Sequence, residues 1–318
     1  MRAGGKSSAA VLAEGVRAGD RRSLARALSL LIDEAPDADA LIQKFFCDSG
    51  RAQKIGLSGP PGTGKSTLCG RLIAHFRGLG LKVGVLAVDP TSPLTGGAFL
   101  GDRLRVQEHV SDPGVFMRSL GTRGMVGGVS QTIFGAIHAL EAAGFSKIIV
   151  ETVGTGQDEV TIAKVADTVT YVTTPQLGDE IQAMKAGVME IGDVFVVNKA
   201  DLGGKDKAVS DLRSALALGR GHERKAWEPP VLAVSAATGE GVPELGKILE
   251  DHWQHLMSSG EGRIRRSAQH KEELSLYISR RLYRRALDRI TGEDLERMLD
   301  HRSDPVAVAR RILKPVRG

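Results

Sequence analysis

Within "GLSGPPGTGKSTL", Gly59, Gly64, Lys65 and Ser66 fall in the spacing G-x-x-x-x-G-K-[ST], between one apolar strand and the start of a helix. That arrangement suits phosphate chemistry. Backbone N–H groups of a glycine-rich loop and a helix N-terminus can surround phosphate oxygens, a lysine can reach the β and γ phosphates, and a serine hydroxyl can ligate Mg²⁺. The phosphate-binding candidates are therefore Gly59, Pro60, Gly62, Thr63, Gly64, Lys65, Ser66 and Thr67. The loop alone does not choose between adenine and guanine.

"VVNKADL" makes the choice. Asn198, Lys199 and Asp201 form N-K-x-D at the end of an apolar run. Asp201 can accept both the N1–H and the exocyclic N2–H₂ of guanine, a pair of donors that adenine does not present together. Lys199 would lie along the base, and "VSAAT" would bring Ser235 and Ala236 to its other edge. A third stretch, "IIVETVGTGQDEV", runs an apolar strand into Glu151 and then into Gly154, Gly156 and Gln157. A buried carboxylate without a partner is costly, so Glu151 is expected to meet a cation. If this strand lies beside the P-loop strand, that cation is the Mg²⁺ held by Ser66. Lys65 and Glu151 are then catalytic candidates. Gln157 is a candidate for orienting the attacking water, with a solvent-exposed loop amide as the alternative.

The elements that must position these residues follow from periodicity. From 53 to 257, "KIGLSG", "KVGVLAVD", "KIIVETVG", "TVTYVTTP", "VFVVNKAD" and "PVLAVSA" read as short buried strands separated by helices. Such alternation implies an α/β fold, a largely parallel sheet flanked by helices. Residues 1–50 form a helical extension, with Asp20 as a cap and Leu24, Ala27, Leu28 and Leu31 on one stripe. A Ser/Gly break at 255–263 sets off a helical segment, 258–318, in which Leu274, Ile278, Leu282, Ala286 and Ile290 recur every four residues. The three expected regions are thus 1–50, 51–257 and 258–318.

Composition bounds the function classes. The chain of 318 residues is 42% apolar, enough for a core, and has no run of roughly 18 apolar residues that would span a bilayer. Its N-terminus lacks the apolar region of a signal peptide, so the expected location is the cytosol. Residues 261–318 hold 15 Lys and Arg against 9 Asp and Glu, a net of +6, while residues 1–260 carry 28 against 29. Few aromatics accompany the basic tail, so it reads as a solvated helix face, with neither nucleic acid nor membrane as partner. Cys47 and Cys69 are expected to be reduced, buried thiols, and His252 with His255 to lie on a surface helix rather than to bind zinc.

Taken with "DPTSPLTGGAFLGDRLRV", "FMRSLGTRGMVGGVS" and "TPQLGDEIQAMKAGVMEIGDVFVVNKAD", these motifs resemble the MeaB/MMAA (ArgK-like) family over nearly the whole chain. The resemblance implies a P-loop GTPase of the SIMIBI class, binding GTP/GDP and Mg²⁺ and serving an adenosylcobalamin-dependent acyl-CoA mutase as a chaperone. It also implies a homodimer built by the C-terminal arm. Asp89 and Asp102 would join Ser66 and Glu151 around Mg²⁺, although either aspartate could instead cap a turn or helix. Four side chains are many for an ion that usually retains waters, so Asp89 or Asp102 is expected to move between nucleotide states.

The segment 176–188 resembles the switch that signals the mutase, with Asp179, Glu180, Gln182 and Lys185 as its candidates; a capped, solvated helix is the alternative. Gln176 and Leu177 stand where the family more often has glycines, which restricts the backbone. ArgK-type labels suggest a protein kinase, but no phosphoacceptor-binding element is present. The other enzymatic reading is a metal-insertion GTPase of the urease or hydrogenase accessory type. Against it, the chain has no C-x-H, C-x-x-C or His-rich tract.

Overall fold

Seven parallel strands form one sheet in the order β3-β2-β4-β1-β5-β6-β7. They are β1 (Gln53–Ser58), β2 (Val83–Asp89), β3 (Val115–Gly121), β4 (Lys147–Thr152), β5 (Thr168–Thr173), β6 (Val194–Val197) and β7 (Val231–Ala233). The structure is a computed structural model and describes residues 7–89, 111–121, 131–152, 162–177, 186–219 and 226–313. Every residue of β1, β4, β5 and β6 is buried. Parallel strands covered on both faces need continuous apolar runs, and these are the runs the sequence offers.

Two cores result. On one face α4 (Lys65–Gly78) lays Leu68, Cys69, Leu72, Ile73 and Phe76 over Ile55, Leu57, Val83, Val85 and Ile149, with Leu245 and Leu249 completing the cluster. The second core packs Tyr171, Phe195 and Val197 against Ala208, Leu212 and Leu216. The remaining helices are α1 (Ser8–Arg17), α2 (Arg21–Ile32), α3 (Ala38–Phe46), α5 (Gln131–Ala142), α6 (Ala186–Ile191), α7 (Lys205–Gly219) and α8 (Val242–Ser259). They are followed by α9 (Glu261–Leu287), α10 (Gly292–Leu299) and α11 (Pro305–Leu313).

The sequence reading of six strands missed β3. Its "VFMRSLG" carries Arg118 and Ser119 in mid-strand and is only partly buried, so the apolar run is too weak to stand out. Position explains the composition: among the described residues β3 is a sheet edge, and β3 and α2 bond to each other through side chains. Arg21 Nη1 donates to Val115 O at 2.8 Å, and Arg118 Nη2 donates to Ser29 Oγ at 3.1 Å. The other face of α2 buries Leu24, Ala27, Leu28 and Leu31, the stripe expected from spacing. Asp20 is its cap, accepting from the amides of Arg22 and Ser23, and the Ser23 hydroxyl and amide hold its carboxyl below the usual range.

A second set of polar contacts fixes the amino-terminal end of the sheet. Asp167 Oδ2 accepts from the Lys54 amide at 2.9 Å, and Asp193 Oδ2 accepts from the Val169 amide at 2.8 Å. Arg265, early in α9, pairs both Asp193 oxygens at 2.7 and 2.9 Å, and Gln269 donates to Ala166 O at 2.9 Å. His252 belongs to this region and corrects the surface-helix expectation. It is buried, its ring 4.7 Å from that of Trp227 and its Nδ1 2.9 Å from Thr168 Oγ1. Burial pushes its pKa down to about 4, so it is neutral at physiological pH. Cys47 corrects another expectation, being exposed, while Cys69 is buried.

The chain divides into two compact units, 1–269 and 270–318. Within the second, Thr291 and Asp294 form a capping box at the start of α10, Arg311 pairs with Asp294, and Val308 and Ile312 are buried. Leu274, Ile278, Leu282 and Leu287 are exposed. Among the described residues no helix is long and apolar enough to cross a membrane.

Glu141 on α5 ties the helical extension to the sheet. Its Oε1 accepts from the consecutive amides of Gly50, Arg51 and Ala52 at 2.9, 3.0 and 3.0 Å, just before β1. Burial pushes its pKa up, but the hydrogen bonds from His138 and Ala52 and the charge of Lys54 outweigh burial and leave it lowered. A depressed carboxylate stabilises the fold above its unfolded pKa, about 4.3, and that contribution is lost as pH falls. Glu141→Gln should therefore cost about 2 kcal/mol at pH 7 in urea unfolding and flatten the loss of stability below about pH 4.5. An unchanged pH profile would remove Glu141 from this role.

Candidate functional site

The loops that follow β1, β4, β6 and β7 all leave the carboxyl ends of parallel strands, the end at which open α/β sheets bind ligands. Strand order makes the meeting possible. β1 lies between β4 and β5, and Glu151 is in register with Leu57, one residue before β1 ends. The adjacency expected from the sequence is thus present. Ser66 Oγ, in the first turn of α4, donates to Glu151 Oε1 at 2.6 Å, and Glu151 is buried.

The loop between β1 and α4 is shaped by glycines at two close approaches. Gly59 has φ of 134°, and a Cβ there would lie 2.0 Å from Val172 O. At Gly64, with φ of 88°, a Cβ would lie 2.5 Å from Asn198 Nδ2. Gly64 is also the N-cap of α4 and supplies no capping side chain, so the first-turn amides remain available to anionic oxygens. Thr63 Oγ1 donates to Pro60 O at 2.9 Å. Lys65 is buried, its Nζ donating to Gly59 O at 2.7 Å and Pro60 O at 2.9 Å, so the ammonium lies along the loop it must serve.

Asn198 joins this loop to the segment after β7. Its Nδ2 donates to Thr63 O at 2.8 Å, and its Oδ1 accepts from the Ala236 amide at 3.0 Å. Both ends of the side-chain amide are therefore committed to backbone, and the residue is buried. Lys199 follows with a left-handed φ of 59°, which turns the chain sharply toward Asp201. Asp201 Oδ1 accepts from Ser235 Oγ at 2.6 Å, and this hydroxyl, with backbone and the Lys199 charge, holds the carboxyl below the usual range. Asp201 is exposed, ionised at neutral pH and an acceptor only, as a reader of paired N–H donors must be.

The oxygen donors at Ser66 and Glu151 suit a hard cation such as Mg²⁺. Asp102, Gln157, Asp179, Glu180, Gln182 and Lys185 lie outside the described residues, as do Gly154, Gly156 and the side chain of Asp89. Among the described residues no three His, Cys, Asp or Glu side chains cluster as a metal site. Cys69 lies one turn along α4 from Ser66; burial pushes its thiol up and the Glu151 charge adds to this, so it is a protonated packing group.

The profile of the family described as "Methylmalonyl Co-A mutase-associated GTPase MeaB" matches residues 24–291. The chain belongs to this family. It is 44% identical over 310 residues to a protein of Pyrococcus horikoshii named as a GTPase, covering 96% of this chain and 98% of that one. It is 37% identical over 221 residues to the mouse mitochondrial methylmalonic aciduria type A homolog, covering 69% of this chain and 53% of the mouse protein. The solved structure of an LAO/AO transport system kinase superposes with a TM-score of 0.71 at 26% identity, covering 97% of both chains. The protein is a P-loop GTPase that binds guanine nucleotide.

The linking role of Asn198 lies in its contacts and not in its type, and Arg71, which reaches the segment after β7 from α4, belongs to no motif. Glu151→Ala tests the metal side of the site. GTP turnover at saturating Mg²⁺ should fall roughly 100-fold while GDP affinity changes far less, because the cation matters most where γ-phosphate charge develops. Normal hydrolysis by this variant would disconnect Glu151 from the metal.

Proposed function

We propose that this chain is a GTP-hydrolysing chaperone that gates cobalamin cofactor loading and protects or reactivates an adenosylcobalamin-dependent acyl-CoA mutase in the cytosol. The observation that carries the reading is the family match over 24–291. It takes in the phosphate loop, the Glu151 strand, the N-K-x-D motif and α9 in one order. The mouse relative, named for methylmalonic aciduria, supports the same partner class.

In this reading Lys65 and the first-turn amides of α4 hold the phosphates, and Ser66 with Glu151 holds Mg²⁺. Bound there, the ion would neutralise charge on the β and γ phosphate oxygens. Asp89 and Asp102 complete the metal set, Gln157 orients the attacking water, and Asp201 reads guanine. The segment 176–188 carries the nucleotide state to the mutase through Asp179, Glu180, Gln182 and Lys185. The C-terminal arm, 258–318, pairs two copies; its exposed Leu274, Ile278, Leu282 and Leu287 support that role.

A ligand shifts a partner's equilibrium only by its difference in affinity for two states, so hydrolysis and chaperoning should be separable. Asp179→Ala or Lys185→Ala should keep basal GTP turnover within about twofold while cutting mutase-stimulated turnover roughly tenfold. The measurement is hydrolysis with and without the cognate mutase, alongside cofactor loading followed by absorbance. Equal loss of basal and stimulated rates would assign the segment to the catalytic centre instead.

A further inference from the structure

Arg71 is an exposed residue on α4, six positions after Lys65, and its guanidinium reaches across to the segment that follows β7. Its Nε donates to Ala236 O at 2.8 Å, and its Nη2 donates to Ala237 O at 2.5 Å. Two donors of one rigid fork thus hold two successive carbonyls, an arrangement that fixes orientation as well as position. On its other side Ala236 gives its amide to Asn198 Oδ1. Ser235, one residue earlier, gives its hydroxyl to Asp201 and accepts from the Thr238 amide at 3.2 Å.

The peptide between Ala236 and Ala237 is planar and trans, so fixing the direction of its C=O fixes the direction of its N–H. With Ala236 O turned to Arg71, the Ala237 amide points the opposite way. The guanidinium also polarises the peptide and makes that amide a better donor. Asp201 takes the N1 and N2 edge of the base, which leaves the edge bearing the 6-oxo group to this segment. We propose that Arg71 is a positioning residue for guanine selection, aiming the backbone amide of Ala237 at the 6-oxo group from the phosphate-binding helix. The proposal rests on the assignment of Asn198 to Asp201 as the base site.

The test compares GDP with the diphosphate of 2-aminopurine riboside, which keeps the 2-amino group and lacks the 6-oxo group and, with it, the N1–H, on the full chain. Arg71→Met should weaken GDP binding roughly fivefold to tenfold. Its affinity for the analogue should stay within about twofold of wild type, with KM for GTP rising and kcat at saturation within about twofold. Arg71→Lys, which can reach a carbonyl but cannot fork, should fall between. Equal loss for both diphosphates, or unchanged GDP affinity in both variants, overturns the proposal; the ratio in the Lys variant decides if the Met variant melts early. Asp201→Asn, run alongside, should gain affinity for xanthosine diphosphate, because the amide can donate to the xanthine 2-oxo group. No gain there would overturn the base assignment itself, and the proposal with it. A gain there with no change of ratio at Arg71 would overturn the proposal alone.

Discussion

The side-chain amide of Asn198 makes two hydrogen bonds on which the organisation of the site depends. One reaches Thr63 O in the phosphate loop and the other the Ala236 amide beyond β7. These two segments lie more than 170 residues apart in sequence, on loops that leave strands separated by two others. Loops of this kind are the parts of a fold with the least packing to hold them. A buried amide satisfied at both ends converts two independently moving loops into one surface, and losing it would strand a buried donor and acceptor at once. The close approach of Gly64 to Asn198 Nδ2 belongs to the same constraint, since any side chain at 64 would occupy the place of the bridge.

Around that bridge, the sheet acts as a ruler. With β1 between β4 and β5, the residues that end each strand arrive at one edge at the 4.7–4.9 Å spacing typical of neighbouring strands. That spacing, with the glycine-shaped loop that leads from β1 into α4, brings Glu151 within hydrogen-bonding reach of Ser66. It also fixes a division of labour. In the proposed site the metal and phosphate groups belong to β1 and β4 and the base groups to β6 and β7, and Asn198 and Arg71 link the two sides through Thr63 O and Ala236 O. The amino-terminal end of the sheet carries its own polar anchors, Asp167 and Asp193, which receive Arg265 and Gln269 from α9.

Much of this was legible in the sequence, for physical reasons that differ from element to element. The phosphate loop is readable because its backbone geometry admits few residue types, and the α2 stripe because a helix buried on one side must repeat its apolar residues. The meeting of Glu151 with Ser66 was readable from the expected pairing of their strands, which sets β4 beside β1. What escaped shares a different character. β3 is a sheet edge that spends mid-strand positions on the polar Arg118 and Ser119, which leaves little apolar signal in its own residues. His252 is buried by Trp227 and Thr168, neither near it in sequence, and Cys47 lies exposed at the end of an otherwise amphipathic helix. Arg71 stands in no motif, and only the fold brings Ala236 and Ala237 beside it.

The central claim, that Asn198 makes one surface of two loops, is tested most directly by amide hydrogen exchange on Asn198→Ala without nucleotide. The account predicts that amides of 62–66 and of 236–239 lose protection together, while those of β1 and β5 keep theirs. Loss confined to 236–239, with the phosphate loop exchanging as in the wild type, would contradict it.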